Sequence, residues 1–316
     1  MSAVKVGILD DWQDAWRHTD AAKRLAGRAQ VEYFLEPVSE LPRLSGFEVL
    51  VANRERMRFP AEVLKQLTSL KLLVQTGGRA PNIDVEAATA QGIVVGKAAG
   101  GSSTGASELT IALILDILRQ VSVADAAMHR GEWPAPLGRE LNGKTLGLIG
   151  VGSVGGRVAR LAAPFGAKLL AYTRTNTAEK AAAAGAEPAA LDDLLRRSDI
   201  VSIHVPLTPE SRGLIGEAQL ALMKPTAYLI NTSRGPIVEE RALIRALAEH
   251  RIAGAALDVF DEEPLPADHS IRKLTNVLLT PHVGWPTDLG FERFAGPAVD
   301  VILAYLDGKT DFPRFN

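Results

Sequence analysis

Short runs of consecutive apolar residues recur along the chain, and segments with apolar positions three and four apart fill the gaps between them. The first runs lie at 4–9, 49–51, 72–74 and 93–95; a second set lies at 145–149, 168–172, 200–204, 227–230, 253–257 and 277–279. Most are apolar at successive positions rather than alternate ones, the pattern of strands covered on both faces. Between them, stretches such as 60–67 carry helical spacing, with Pro60 at a first-turn position. Strands that alternate with helices predict parallel sheets joined by crossover helices, an α/β fold.

An amphipathic stretch from 102 to 130, predicted as one long helix, separates the two sets of strands, and residues 288–306 read as a helix returning after the last strand. This order predicts two Rossmann-like domains. Residues 1–101 and 286–316 form a split, flavodoxin-like substrate domain; residues 102–285 form an inserted, doubly wound dinucleotide-binding domain. A chain of 316 residues is long enough for both.

Composition narrows the functional classes. There is no cysteine, so disulfides, thiolate metal sites and cysteine nucleophiles are excluded. A formal net charge of -2 gives no reason to expect a nucleic-acid or anionic-membrane partner. The longest apolar stretch, 109–118, contains Thr110 and Asp116 and is too short to span a bilayer. The first residues lack the long apolar core of a signal peptide. A cytoplasmic protein acting on a small molecule is expected.

Gly150, Gly152 and Gly155 form a GxGxxG pattern directly after an apolar run and directly before a helical one. That context is what a dinucleotide loop needs: the first glycine allows the tight turn, the second lets backbone approach a pyrophosphate, and the third lets helix pack on strand. The phosphates then meet the helix start, at Ser153 and Val154, where free amides and the helix dipole favour anions. The run at 168–172 should end at the ribose-reading position. An acid there favours NAD; this chain has Thr173, Arg174, Thr175 and Asn176 instead, of which Arg174, Thr175 and Asn176 are donors suited to a 2′-phosphate. NADP is therefore the favoured cofactor, with NAD the alternative.

Three further candidates follow later strands. Reduction of a 2-keto acid needs a cation for the carboxylate, a proton donor for the carbonyl oxygen, and a partner that orients the donor and favours its charged form. Arg234, His282 and Glu263 suit these roles in turn. His18, His129, His250 and His269 lack metal or carboxylate spacing, and His204, at a strand end beside the cofactor and counted with the cofactor-binding residues, reads as a packing or hydrogen-bonding residue rather than a catalyst. No metal is expected.

With these residues in view, the chain resembles the D-isomer-specific 2-hydroxyacid dehydrogenases over nearly its whole length. The most specific stretches are 141–156 and 200–284, including 204–213 (HVPLTPESRG), 223–225 (MKP), 231–235 (NTSRG), 258–264 (DVFDEEP) and 280–284 (TPHVG). The resemblance implies catalytic roles for Arg234, Glu263 and His282. It also implies that Asp258 holds the nicotinamide carboxamide, that Val205 and Pro206 pack near the adenine, and that Thr232 lies along the cofactor, with Ser211 and Gly284 in the same set. The loop at 77–84 (GGRAPNID) resembles the family's substrate-carboxylate loop, which implies that the amides of Gly78 and Arg79 bind that carboxylate. Here Arg79 replaces a glycine and Pro81 an acid. Arg54 and Arg56 follow an early strand on the same side, and Trp285 is a further departure, read as packing or as a pocket wall. The expected activity is hydride transfer between a nicotinamide cofactor and a small D-2-hydroxy acid or 2-keto acid, in a homodimer. Phosphite oxidation and non-enzymatic dinucleotide sensing by a corepressor-like protein are the alternatives; a formate enzyme would be expected to carry glutamine in place of Glu263.

Overall fold

The computed structural model describes residues 3–54, 56–101, 103–174 and 177–316. The chain divides into two compact units, Met1–Ser102 with Pro286–Asn316, and Ser103–Trp285.

The first unit contains β1 (Lys5–Ile8), β2 (Gln30–Tyr33), β3 (Val49–Ala52), β4 (Leu72–Thr76) and β5 (Val94–Ala98). They form one parallel sheet in the order β2-β1-β3-β4-β5, the flavodoxin-like arrangement. The inner strands β3 and β4 are buried at every position, which explains their unbroken apolar runs. Strand β2 has no such run. It lies at the sheet edge and alternates exposed with half-buried residues, so its sequence carries a weaker signal. The stretch around 60–67 is a shorter helix, Ala61–Leu64, with Pro60 as its cap. Residues Asp288–Leu306 form the returning helix. Beyond it the chain pairs along β5: Phe315 N donates to Val95 O at 2.9 Å and Lys97 N to Pro313 O at 2.8 Å. This covers an edge that would otherwise present open backbone groups.

The second unit contains β6 (Thr145–Ile149), β7 (Lys168–Tyr172), β8 (Glu187–Pro188), β9 (Ile200–Ile203), β10 (Tyr228–Asn231), β11 (Gly254–Leu257) and β12 (Val277–Leu279). All run parallel in the order β12-β11-β10-β9-β6-β7-β8, a doubly wound sheet. Neighbouring residues of β10 serve opposite faces: Leu229 joins one apolar cluster and Ile230 the other. Both are buried, so the strand has no polar face. The stretch predicted as one helix is two, Ser103–Arg119 and Val121–His129, broken at Gln120 with φ +56°. The Asp116 carboxylate accepts from Ser122 N at 2.8 Å and so caps the second helix, favouring the break over continuation.

Candidate active site

In an open parallel sheet, ligands bind outside the strand carboxyl ends, where the winding direction reverses. In the second unit that reversal falls between β6 and β9. The glycine loop leaves β6 there. Gly150 has φ +94° and its amide donates to Tyr172 O at 2.8 Å. A Cβ on Gly150 would stand 2.8 Å from Val205 Cγ1, and one on Gly155 only 2.0 Å from Gly150 O. Around Gly152 no atom lies within 4 Å of the Cβ position. The loop is thus tight where it packs and open where a pyrophosphate would approach, and the helix Ser153–Ala162 begins at that opening with Val154 in its first turn. These residues fit a dinucleotide.

The remaining walls come from β7 and β9. His204 Nε2 lies 2.9 Å from Ser202 Oγ, and burial pushes its imidazole down to about 3, so the ring is neutral. This agrees with a packing role. Ser211 Oγ donates to Pro206 O at 2.7 Å and accepts from Thr208 N at 2.8 Å, closing the loop after β9. Thr173 is buried at the end of β7. Arg174 departs from the sequence expectation of a site without a carboxylate, because Glu210 from the β9 loop reaches it at 3.4 Å. Both side chains are exposed, so the pair is weak. Thr175 and Asn176 lie outside the described residues.

Arg234, Glu263 and His282 follow β10, β11 and β12, three neighbours in the sheet. His282 Nδ1 is 2.6 Å from Glu263 Oε2, and Phe260 N donates to Glu263 Oε1 at 2.9 Å. The two side chains are 31% and 32% exposed, so the pair is sheltered yet open to a substrate. Burial pushes the Glu263 carboxyl up, but the His282 hydrogen bond and charge, the Phe260 amide and the Arg234 charge outweigh it and hold the carboxyl below its usual range. Arg234 therefore acts on the same local field. Its loop is shaped by Asn231, which accepts from Ser233 N and donates to Arg234 O, and by the Ser233 hydroxyl, which donates to Val205 O.

His282 sits at φ +53°, an uncommon conformation for a side chain of this kind. Asp258 stabilises it. This residue is 1% exposed; Oδ1 accepts from Thr280 Oγ1 at 2.6 Å and Val283 N at 2.8 Å, and Oδ2 from Gly284 N at 2.9 Å. The flanks of His282 are thus tied to one carboxylate. Burial raises the Asp258 carboxyl, partly offset by the Thr280, Val283 and Gly284 bonds and the His282 charge. The implied carboxamide contact gave no hint of this bracing. Sequence reasoning also missed Thr110, whose hydroxyl lies 2.8 Å from that of Thr232. Trp285, next to Gly284, is half-buried.

In the first unit, Gly78 and Arg79 are exposed after β4, and their backbone amides have no partner among the described residues. Arg54, after β3, has φ +60°, and its guanidinium packs over the Phe294 ring at 5.5 Å. Arg56 NH1 donates to Asp10 O at 2.5 Å, and its guanidinium stacks on Trp12 at 4.0 Å. Among the remaining histidines, His269 meets Glu240 at 3.1 Å, a pairing that sequence spacing did not suggest. No three His, Asp or Glu residues among those described come together as a metal site. No helix among the described residues is long and apolar enough to cross a membrane.

Residues 111–284 match the family model for the D-isomer specific 2-hydroxyacid dehydrogenase, NAD binding domain. The chain belongs to this family. Among curated relatives, a glyoxylate reductase of Aeropyrum pernix is 44% identical over 261 residues, covering 80% of this chain and 78% of the relative. A D-3-phosphoglycerate dehydrogenase of Methanocaldococcus jannaschii is 40% identical over 276 residues, 86% of this chain but 52% of that longer protein. Among solved structures, a phosphoglycerate oxidoreductase from Vibrio cholerae superposes with a TM-score of 0.92 at 33% identity, covering 96% of this chain and 99% of that one. The family bears out the sequence resemblance and gives the dinucleotide loop its cofactor class.

Proposed function

We propose that this chain is a 2-keto acid reductase, equally a D-2-hydroxyacid dehydrogenase, in which Arg234, Glu263 and His282 act together. The observation that carries the reading is the 2.6 Å contact between His282 Nδ1 and Glu263. It commits Nδ1 to the carboxylate and leaves Nε2 to face a substrate. When bound, the nicotinamide supplies or accepts the hydride. Arg234 holds the substrate carboxylate, and in the first unit the amides of Gly78 and Arg79 are proposed as donors to an anionic group. In reduction, His282 Nε2 gives its proton to the carbonyl oxygen as C2 becomes tetrahedral; in oxidation the same atom takes the hydroxyl proton. Glu263 stays ionised throughout and stabilises the imidazolium. The names of the relatives support glyoxylate and related 2-keto acids as substrates. The test is a panel of 2-keto acids, with phosphite included in the oxidative direction, read by nicotinamide absorbance. Turnover of 2-keto acids is expected. Turnover of phosphite alone, or of nothing, sinks the proposal.

NADP(H) remains the favoured cofactor on the strength of Arg174. Glu210 weakens the preference by neutralising that cation. Glu210→Gln should therefore raise the kcat/KM ratio for NADPH over NADH by about 2- to 5-fold, the scale of an exposed ion pair. An unmodified enzyme that works equally well or better with NADH overturns the preference.

A homodimer is proposed through the second unit. Val121, Val123, Met128, Trp133 and Leu137 are exposed there within one short stretch, Trp133 at 86% and Leu137 at 92%. Large apolar side chains grouped on a surface mark an interaction face. Sedimentation analysis should give a dimer, and Trp133→Glu with Leu137→Glu a monomer. If the unaltered protein sediments as a monomer, this face has another use.

A further inference from the structure

We propose that Glu240 and His269 are positioning residues, whose contact fixes the spacing between Arg234 and the Glu263–His282 pair. The inference rests on the reductase reading above and adds to it two side chains that act through others.

The loops concerned leave neighbouring strands of the second unit. β10 and β11 run side by side, with Asn231 paired to Leu257. The loop after β10 carries Arg234 and ends at Glu240, the first residue of the helix Glu240–Ala248. The loop after β11 carries Glu263 and ends at His269, which caps the short helix Ser270–Lys273. Each loop therefore bears one proposed catalytic group and, at its far end, one member of a second imidazole–carboxylate pair.

The near parts of the loops meet through backbone. A Cβ on Gly235 would stand 2.1 Å from Phe260 C and 2.6 Å from Asp261 N. Phe260 N in turn donates to Glu263 Oε1. Close packing limits how near the loops approach, but it is not directional and does not stop one sliding along the other.

The far ends supply the direction. His269 Nε2 lies 3.1 Å from Glu240 Oε1. His269 Nδ1 accepts from Ile271 N at 3.4 Å, which leaves Nε2 as the donor to Glu240. These side chains are 19% and 23% exposed, more sheltered than the Glu263–His282 pair, and shelter from water strengthens such a bond. Arg272 braces the segment between: its Nε and NH2 donate to Pro266 O and Leu265 O, both at 2.8 Å. A shift at His269 is thereby passed back toward Glu263. Asp261 lies in the same field, its carboxyl pushed up by burial and by Glu240 and held back by Arg212 and His269.

His269→Ala should lower kcat for 2-keto acids by about 10- to 100-fold, the cost of roughly an ångström of misplacement, with cofactor affinity unchanged. His269→Gln, whose amide nitrogen stands where Nε2 stood, should recover most of the rate. Glu240→Ala should match His269→Ala, and the double variant should cost no more than either, because all three remove one contact. In a His282→Ala background, with no imidazole left to position, His269→Ala should cost less than about 3-fold. Should His269→Ala not fold, His269→Phe keeps the ring without the donor and takes its place. An unchanged kcat, an undiminished loss in the His282→Ala background, or a glutamine variant no better than the alanine one overturns the inference and leaves the reductase reading standing. If no 2-keto acid turns over, that reading fails, and proton NMR decides on the pair by itself. The His282 Nδ1 proton, assigned by its loss in His282→Ala, should shift or broaden in His269→Ala and return in His269→Gln; an unmoved resonance overturns the inference.

Discussion

His282→Ala should lower kcat by about 10²- to 10⁴-fold, the usual contribution of a positioned general acid, while cofactor affinity stays near that of the unmodified enzyme. In the proposed reaction the imidazole moves the proton, and its Nδ1 contact with Glu263 leaves Nε2 to do so. The pH profile offers a finer check. Reduction consumes a proton and oxidation releases one, so the two directions should respond to pH with opposite sign. Glu263→Gln keeps an acceptor but removes the carboxylate charge, so it should lower kcat for reduction. An unchanged kcat in Glu263→Gln would mean that the carboxylate charge has no part in the proton transfer. Glu263 also links to stability. Its folded carboxyl is held below the usual range, so its contribution is present above an unfolded value of about 4.3 and is lost as acid titrates the folded group. Thermal melts of Glu263→Gln and the unmodified protein should therefore converge in acid.

Gly155→Ala should be a strongly damaging small substitution. The added Cβ would stand 2.0 Å from Gly150 O and 3.0 Å from both Gly150 C and His204 Cβ. Backbone cannot yield as a flexible side chain can, so helix and strand must move apart, at a cost of about 1–3 kcal/mol or more. Melting should fall by several degrees, and dinucleotide binding, followed by nicotinamide fluorescence, should be lost with it. Gly152→Ala is the contrast. Its φ of -72° suits alanine and nothing lies within 4 Å of the new methyl. That variant should melt like the unmodified protein and yet bind the cofactor more weakly, because the methyl fills the space left for the pyrophosphate. Equal cofactor affinity in Gly152→Ala would move the phosphate site away from this loop.

Much of the fold was legible because burial on both faces leaves a one-dimensional trace. Strands such as β3, β4 and β10 are covered on both faces and so carry apolar residues at successive positions, and the helices between them follow from spacing. The edges were less legible. Strand β2 meets solvent on one side, and β8 has two residues, so neither has the run that marks an inner strand. The break at Gln120 depends on an Asp116 side chain that no periodicity describes.

The amino-acid order by itself determined the parallel architecture, the glycine loop and the three chemically suited side chains, because each is set by neighbours along the chain. Tertiary structure decided which partners meet. Glu210 reaches Arg174, Asp258 ties the two flanks of His282, and Thr76, Gln75 and Asn82 force Arg54 into a left-handed turn. These contacts join residues far apart in sequence through hydrogen bonds a few ångströms long, and such encounters are settled by folding in three dimensions.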